Sequence, residues 1–230
     1  MKKQLIIVGK SANARQAYDF IKIHDLFDIL GFTVNREYMD ADSFNGLPVF
    51  ALEDLREKFD MTGVELFVAL GWNRLNADRR NLYERLKEQG YKFANLISPN
   101  AVIRGKVEGD NCWVNDYAVI QSGAVIKSNV IIREHVLIGN DALIEKHCFI
   151  GVHSIVAGGC HIGEQSFCGI RATVFDGVKT GNKCIIGGGA VLKRNIESNT
   201  VCKTDLSSTV LKVYDENEIE SKLMFNKNVR

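Results

Sequence analysis

An apolar residue recurs at every sixth position from Val114 to Leu192: Val114, Ile120, Ile126, Ile132, Ile138, Ile144, Ile150, Val156, Ile162, Cys168, Val174, Thr180, Ile186 and Leu192. Only Cys168 and Thr180 in this series are not aliphatic. A second series, offset by four, holds small residues from Ala118 through Cys148 and Ser154 to Ala190. A period of six fits neither the 3.6 of an amphipathic helix nor the two-residue alternation of a sheet strand. It fits short strands joined by tight corners, three to a coil of 18 residues, wound into a triangular parallel β-helix. The aliphatic side chains fill the prism, and the small ones sit where a wall turns. Glycine at Gly139, Gly151, Gly163, Gly169, Gly181 and Gly187 is expected to serve tight or left-handed corners.

The first 97 residues follow other rules. Gln4–Val8, Ile29–Val34, Glu65–Leu70 and Tyr91–Ile97 read as strands, and Ala12–His24, Leu52–Phe59 and Asn73–Gln89 as helices, the last with Asn73 as its cap. The Ala12–His24 helix offers Ala14, Tyr18, Ile21 and Ile23 to a buried face. Strands alternating with helices imply a parallel sheet, here a small Rossmann-like α/β domain. Ligands of such sheets bind at the carboxyl ends of the strands. Those ends carry Gly9, Lys10, Ser11 and Asn13, then Asn35 and Arg36, then Gly71 and Asn73. A helix start beside Gly9 offers free N–H groups to a phosphate. The absence of a G-x-G-x-x-G pattern favours a mononucleotide or nucleotide-sugar over a whole dinucleotide. Pro99 marks the boundary, so the expected division is 1–97, 98–202 for the β-helix, and a polar tail over 203–230 with a short helix at Glu216–Met224.

Composition narrows the function classes. The formal net charge is +1 and both signs are mixed along the chain, which argues against nucleic acid as a partner. The apolar stretch Leu5–Val8 is too short for a signal peptide or a membrane span, so a cytoplasmic protein is expected. Six cysteines occur without any C-x-x-C pair, and four of them fall on inward positions of the repeat. They read as small hydrophobic residues and not as metal ligands.

The order of these parts, with the linker LISPNAVI and the late stretch IGGGAVLKRNI, resembles over nearly the whole chain the bacterial nucleotide-sugar N-acetyltransferases and sialic-acid O-acetyltransferase-like enzymes of glycan pathways. The resemblance implies a left-handed β-helix, an exception to the usual right-handed crossover. It implies a homotrimer with acetyl-CoA lying between adjacent subunits, and a nucleotide-linked amino sugar held by the N-terminal domain. No metal is expected, on the cysteine spacing given above. In that family a histidine and an acidic residue occupy the third and fourth positions of one hexapeptide. The matching stretch here is Ile138-Gly139-Asn140-Asp141, so Asn140 stands in place of the histidine.

Three readings of the proton acceptor stay open. Another histidine serves, from His135, His147 or His153, all at fourth positions; His135 and His153, 18 residues apart, should stack on one edge. Alternatively no strong base is needed, and Asn140 and Asp141 orient a neutral amine. Or acetyl transfer is lost, leaving a scaffold or ligand sensor; O-acetylation is a further alternative. The resemblance also implies that the Gly158 amide polarises the thioester beside Gly159. By the same carry-over Gly169, Gly187 and Gly188 line the pantetheine groove, and Lys193 and Arg194 meet CoA phosphates. Asn35 stands where the family usually has an acidic residue near the nucleotide base.

Overall fold

The computed structural model describes residues 2–204. The helix expected over Glu216–Met224 lies outside them. The N-terminal part is a five-stranded sheet in the order β3-β4-β2-β1-β5, with β1 Gln4–Val8, β2 Asp28–Val34, β3 Ser43–Phe44, β4 Leu47–Ala51 and β5 Val64–Val68. β1 pairs in parallel with β2 and β5, and β2 in parallel with β4. Leu5–Val8 are buried because a central parallel strand is covered on both faces. The hairpin β3–β4 turns at Asn45-Gly46, both at positive φ (48° and 75°), as a two-residue hairpin turn requires.

Helices α1 (Ala12–His24), α2 (Leu55–Lys58) and α3 (Ala77–Glu88) complete this part. α1 buries Ala14, Ala17, Phe20 and Ile21, whereas Ile23 is 77% exposed, so the expected face is corrected by one turn position. α3 starts four residues later than its sequence suggests. Arg74, Leu75 and Asn76 are consecutive left-handed residues (φ 52°, 56° and 63°). This unusual turn brings the Asn76 amide to the His147 carbonyl, to which it donates at 2.6 Å. The expected strand Tyr91–Ile97 is also divided. Phe93 bridges Leu66 of the sheet, but Leu96–Ile97 pairs with Trp113–Val114.

From Leu96 onward the chain winds a three-walled parallel prism. Wall one stacks Val102–Ile103, Val119–Ile120, Leu137–Ile138, Ile155–Val156, Thr173–Val174 and Val191–Leu192. Wall two stacks Lys106–Val107, Val125–Ile126, Leu143–Ile144 and His161–Ile162. Wall three runs from Leu96–Ile97 to Val201–Cys202. Register is 18 residues per coil, as in Leu137↔Ile155 and Phe149↔Phe167. The aliphatic series is buried throughout and forms one core with the small series. Each fully buried isoleucine contributes about 1.5–3 kcal/mol.

The structure corrects the role given to the corner glycines. None of Gly139, Gly151, Gly163, Gly169, Gly181 and Gly187 has positive φ. They are small because the next coil leaves no room: a Cβ on Gly139 or Gly169 would lie 2.5 Å from a backbone nitrogen of the coil above. The left-handed corner residues come two positions later and are mostly not glycine, as at Asn129, His135, Asp141, His147, His153, Gln165 and Arg171. The outer face of wall three, with Trp113, Ile131, Phe149 and Phe167, packs on Phe20, Phe67 and Ala94 of the N-terminal part. Among the described residues no helix is long and apolar enough to cross a membrane.

Candidate active site

Asn140 and Asp141 form the corner between walls one and two, and both are exposed. The Asn140 N–H donates to Gln121 Oε1 at 3.0 Å, and its carbonyl accepts the Gly159 N–H at 2.7 Å. The Asp141 carboxylate lies over Gly123, where any side chain would collide with it. Gly158 sits one coil above Asn140, as the 18-residue spacing requires. Its N–H donates to Asp176 Oδ1 at 3.1 Å. An acyl oxygen can use that amide only after Asp176 has moved aside. Asp176 was not singled out from sequence, although the same 18-residue arithmetic reaches it from Gly158. Above it, Lys193 Nζ lies 5.4 Å from the centre of the Phe175 ring, and Arg194 is exposed.

Gly169, Gly187 and Gly188 lie on a different corner, between walls three and one. His135 and His153 are exposed on that same corner and stack with ring centres 4.7 Å apart and planes 6° from parallel. Tyr117 continues the stack at 5.0 Å from His135. Within one chain, wall one therefore separates the histidine pair from Asn140.

His147 belongs to the third corner and is buried under α3. Its Nδ1 accepts from Asn129 Nδ2 at 2.8 Å; Asn129 Oδ1 accepts from Asn111 Nδ2 at 2.7 Å; Asn111 Oδ1 accepts from the Val68 N–H at 2.9 Å. The backbone N–H at the foot of this ladder fixes every amide above it, so the neutral ring carries its proton on Nε2. That proton faces Glu84 at 3.2 Å and Glu164 at 3.9 Å. Burial, together with the charges of Arg80, Arg79 and Lys146, pushes His147 down to about 3. The Glu84–His147–Glu164 cluster has ligand atoms within 4.8 Å of one another. A metal ion there would need the nitrogen that holds the proton.

Arg79, missed in the sequence, anchors the same junction. It is fully buried and donates to the Val68 carbonyl at 2.7 Å and the Asn111 carbonyl at 2.6 Å. Burial lowers it to about 9.

The ends of β1, β2 and β5 enclose a cavity of about 140 Å³ lined by Gly9, Val34, Asn35, Tyr38, Leu70 and Leu82, among others. Two wider depressions, of about 410 and 440 Å³, also open at Asn35. Asn35 Oδ1 accepts from Arg85 Nη2 at 3.0 Å. Gly9 has φ 117°, which keeps the backbone open at the cavity rim. Ser11 precedes the first turn of α1, Lys10 pairs with Asp40, and Asn13 packs against Gly71. Arg36 turns away to pair with Asp54. Asn73 opens the turn into α3. Tyr38, Leu70, Leu82 and Arg85 escaped the sequence reading because only the fold brings them to the strand ends.

The family described as bacterial transferase hexapeptide (six repeats) matches residues 109–140. A search of curated proteins finds no match. Among solved structures, a histidine-to-asparagine variant of perosamine N-acetyltransferase from Caulobacter crescentus, in complex with CoA and GDP-perosamine, is 26% identical, with TM-score 0.76 over 88% of this chain and 97% of that one. The acetyltransferase domain of PglB from Neisseria gonorrhoeae, in complex with acetyl coenzyme A, is 24% identical, with TM-score 0.76 over 87% and 96%. WeeI from Acinetobacter baumannii is 17% identical, with TM-score 0.73 over 86% and 94%. The last two show the fold: a left-handed β-helix behind an α/β region. In its repeat, its order of parts and its fold over 86–88% of its length, the chain is similar to bacterial hexapeptide-repeat acetyltransferases, among them a nucleotide-sugar N-acetyltransferase.

Proposed function

We propose that the protein transfers acetyl from acetyl-CoA to the amino group of a nucleotide-linked sugar destined for a surface glycan, and that it works as a homotrimer. The observation carrying this reading is the Asn140-Asp141 corner with Gly158 directly above it, on a fold matched over 88% of this chain by an enzyme that binds CoA and GDP-perosamine. In that enzyme a histidine-to-asparagine change leaves both ligands bound, so an asparagine in this chain is compatible with substrate binding. The N-terminal sheet acts as a Rossmann-like nucleotide holder, with the base in the apolar cavity beside Asn35 and the phosphates near Gly9, Lys10, Ser11 and Asn13.

Three features support the trimer. The outer side chains of wall one are Val102, Val119, Leu137, Ile155, Thr173 and Val191, a nearly unbroken apolar stripe, with Val191 50% exposed. Wall two carries Lys106, His161 and Lys179 outward, and wall three is covered by the chain's own N-terminal part. Three copies of wall one facing a common axis bury the stripe and give three equal sites. The N-terminal part lies across the prism from Asn140, so a sugar held there reaches the Asn140 corner of a neighbour. CoA would then run between Lys193 and Arg194 of one copy and Gly169, Gly187 and Gly188 of the next.

Asn140 and the engaged Gly158 amide favour one rival, a non-catalytic trimer that binds the sugar nucleotide without turning it over. Thiol release from acetyl-CoA in the presence of nucleotide-linked amino sugars decides between them. Release that depends on the sugar supports the transferase, and its absence across UDP-, GDP- and dTDP-linked amino sugars supports the rival.

A further inference from the structure

We infer that the proton acceptor for acetyl transfer is supplied in trans, by the stacked His135–His153 pair of the neighbouring subunit acting at the Asn140 corner; this rests on the proposed N-acetyltransferase reading. The first ground is level. Each coil of the prism starts at the histidine corner, crosses wall one and ends at the Asn140 corner. His135 and Asn140 flank the strand Leu137–Ile138, and His153 and Gly158 flank Ile155–Val156. Rotation about an axis parallel to the prism keeps heights unchanged. When three copies of wall one face that axis, each Asn140 corner meets the neighbour's histidine corner, and His135 arrives level with Asn140.

The second ground is charge. The Asn140 corner carries Asp141 and Asp176, and neither has an ion-pair partner among the described residues. The opposite corner carries Arg171 in the same coil as Asp176, also unpaired among the described residues and exposed. Its own acids are already engaged: Asp116 with His24 and Glu134 with Arg133. At the level of Asp176 an acid therefore meets the neighbour's Arg171 at equal height, while Lys193 and Arg194 occupy the Asn140 edge one coil above. The third ground is the ring stack itself. Two exposed imidazoles held parallel on left-handed corner residues, with Tyr117 stacked below them, form an ordered pair whose ring nitrogens have no partner among the described residues.

In the step so assigned, the neutral sugar amine attacks the acetyl carbonyl carbon and a C–N bond forms. The ammonium proton passes to an imidazole nitrogen of the pair. The C–S bond then breaks, and the proton returns to the departing thiolate, giving the amide and free CoA. General base catalysis of this kind contributes about 100-fold or more.

The test has two independent arms. In a Cys202→Ser background, Asn140→Cys is combined with His135→Cys and treated with a short bismaleimide. Crosslinks between chains, seen as dimers and trimers on a denaturing gel, are expected; their absence overturns the trans placement whether or not the enzyme turns over. In the second arm, His135→Gln/His153→Gln should lower kcat about 100-fold with KM within about threefold, and should abolish the acid limb of the pH–rate profile. When these subunits are mixed with Asp141→Ala subunits, about a quarter of the sites regain both intact corners and activity returns. A double variant with unchanged kcat and pH profile, or mixed trimers without recovery, overturns the assignment. A wild-type protein that never releases CoA sinks the transferase reading alone, and the crosslinks still report the placement.

Discussion

His147 Nδ1 accepts a hydrogen bond from Asn129 Nδ2 at 2.8 Å, and that bond ties the prism to the N-terminal sheet through Asn111 and the Val68 N–H. The ladder has one direction only, because its foot is a backbone donor. It excludes a proton from Nδ1, and burial does the rest. A histidine that is neutral when folded and ordinary when unfolded makes stability depend on pH.

The sign follows from linkage. His147 is held near 3 in the fold against 6.5 when unfolded, so below 6.5 the unfolded chain binds the extra proton. Stability is full above that value and falls with acidification by up to about 1.4 kcal/mol per pH unit. Urea unfolding should show a loss of about 2 kcal/mol between pH ~6.5 and ~4.5. His147→Gln should flatten that slope while lowering stability at neutral pH. An unchanged slope in the variant would mean another group carries it.

The cysteines offer a second check. Burial raises Cys112 to about 11 and Cys168 to about 12, and moves Cys148 and Cys160 in the same direction. Of the six, only Cys202 is partly exposed. A native alkylation time course near neutral pH should modify Cys202 first, and the other five only after denaturant is added. Rapid labelling of Cys148 in the native protein would contradict the packed prism.

Wall one carries the prediction about assembly. Ile155→Arg places a charge in the middle of the apolar stripe, where desolvation without a partner costs several kcal/mol. Light scattering should then report one chain of 25.7 kDa in place of three. Lys179→Glu, on wall two, should leave the assembly intact. A wild-type protein that is already monomeric would remove the shared site.

Restoring a histidine at the corner is a gain-of-function test. Asn140→His places an imidazole beside Asp141, which can orient it. Turnover should rise about tenfold, and it should become insensitive to His135→Gln and His153→Gln. Initial rates of thiol release for the single and combined variants measure both effects. A fall in turnover instead would show that the Asn140 amide has a role of its own.

Much of the fold was legible because the period of six has one geometric solution. Ile138 and Ile144 had to point inward, and residues 18 apart had to stack, which placed Gly158 over Asn140 and His153 over His135 before any coordinates. The Asn45-Gly46 pair between Phe44 and Leu47 is a hairpin signal of the same local kind. Other features had no local signal. The left-handed run Arg74–Asn76 is set by a hydrogen bond to His147, 71 residues away, and Arg79 looks in sequence like any surface arginine of a polar helix.

By itself the sequence determined the prism, its coil length and the stacking of its corners, since these depend only on side-chain size at fixed spacing. The tertiary structure decided which wall the N-terminal sheet covers, and with it which wall is left apolar and open. It buried His147 in a hydrogen-bonded ladder and left His135 and His153 at the surface, although all three occupy the same position of the repeat. The reason is that a six-residue repeat makes the three corners equivalent, and only packing against a second, non-repeating part can tell them apart.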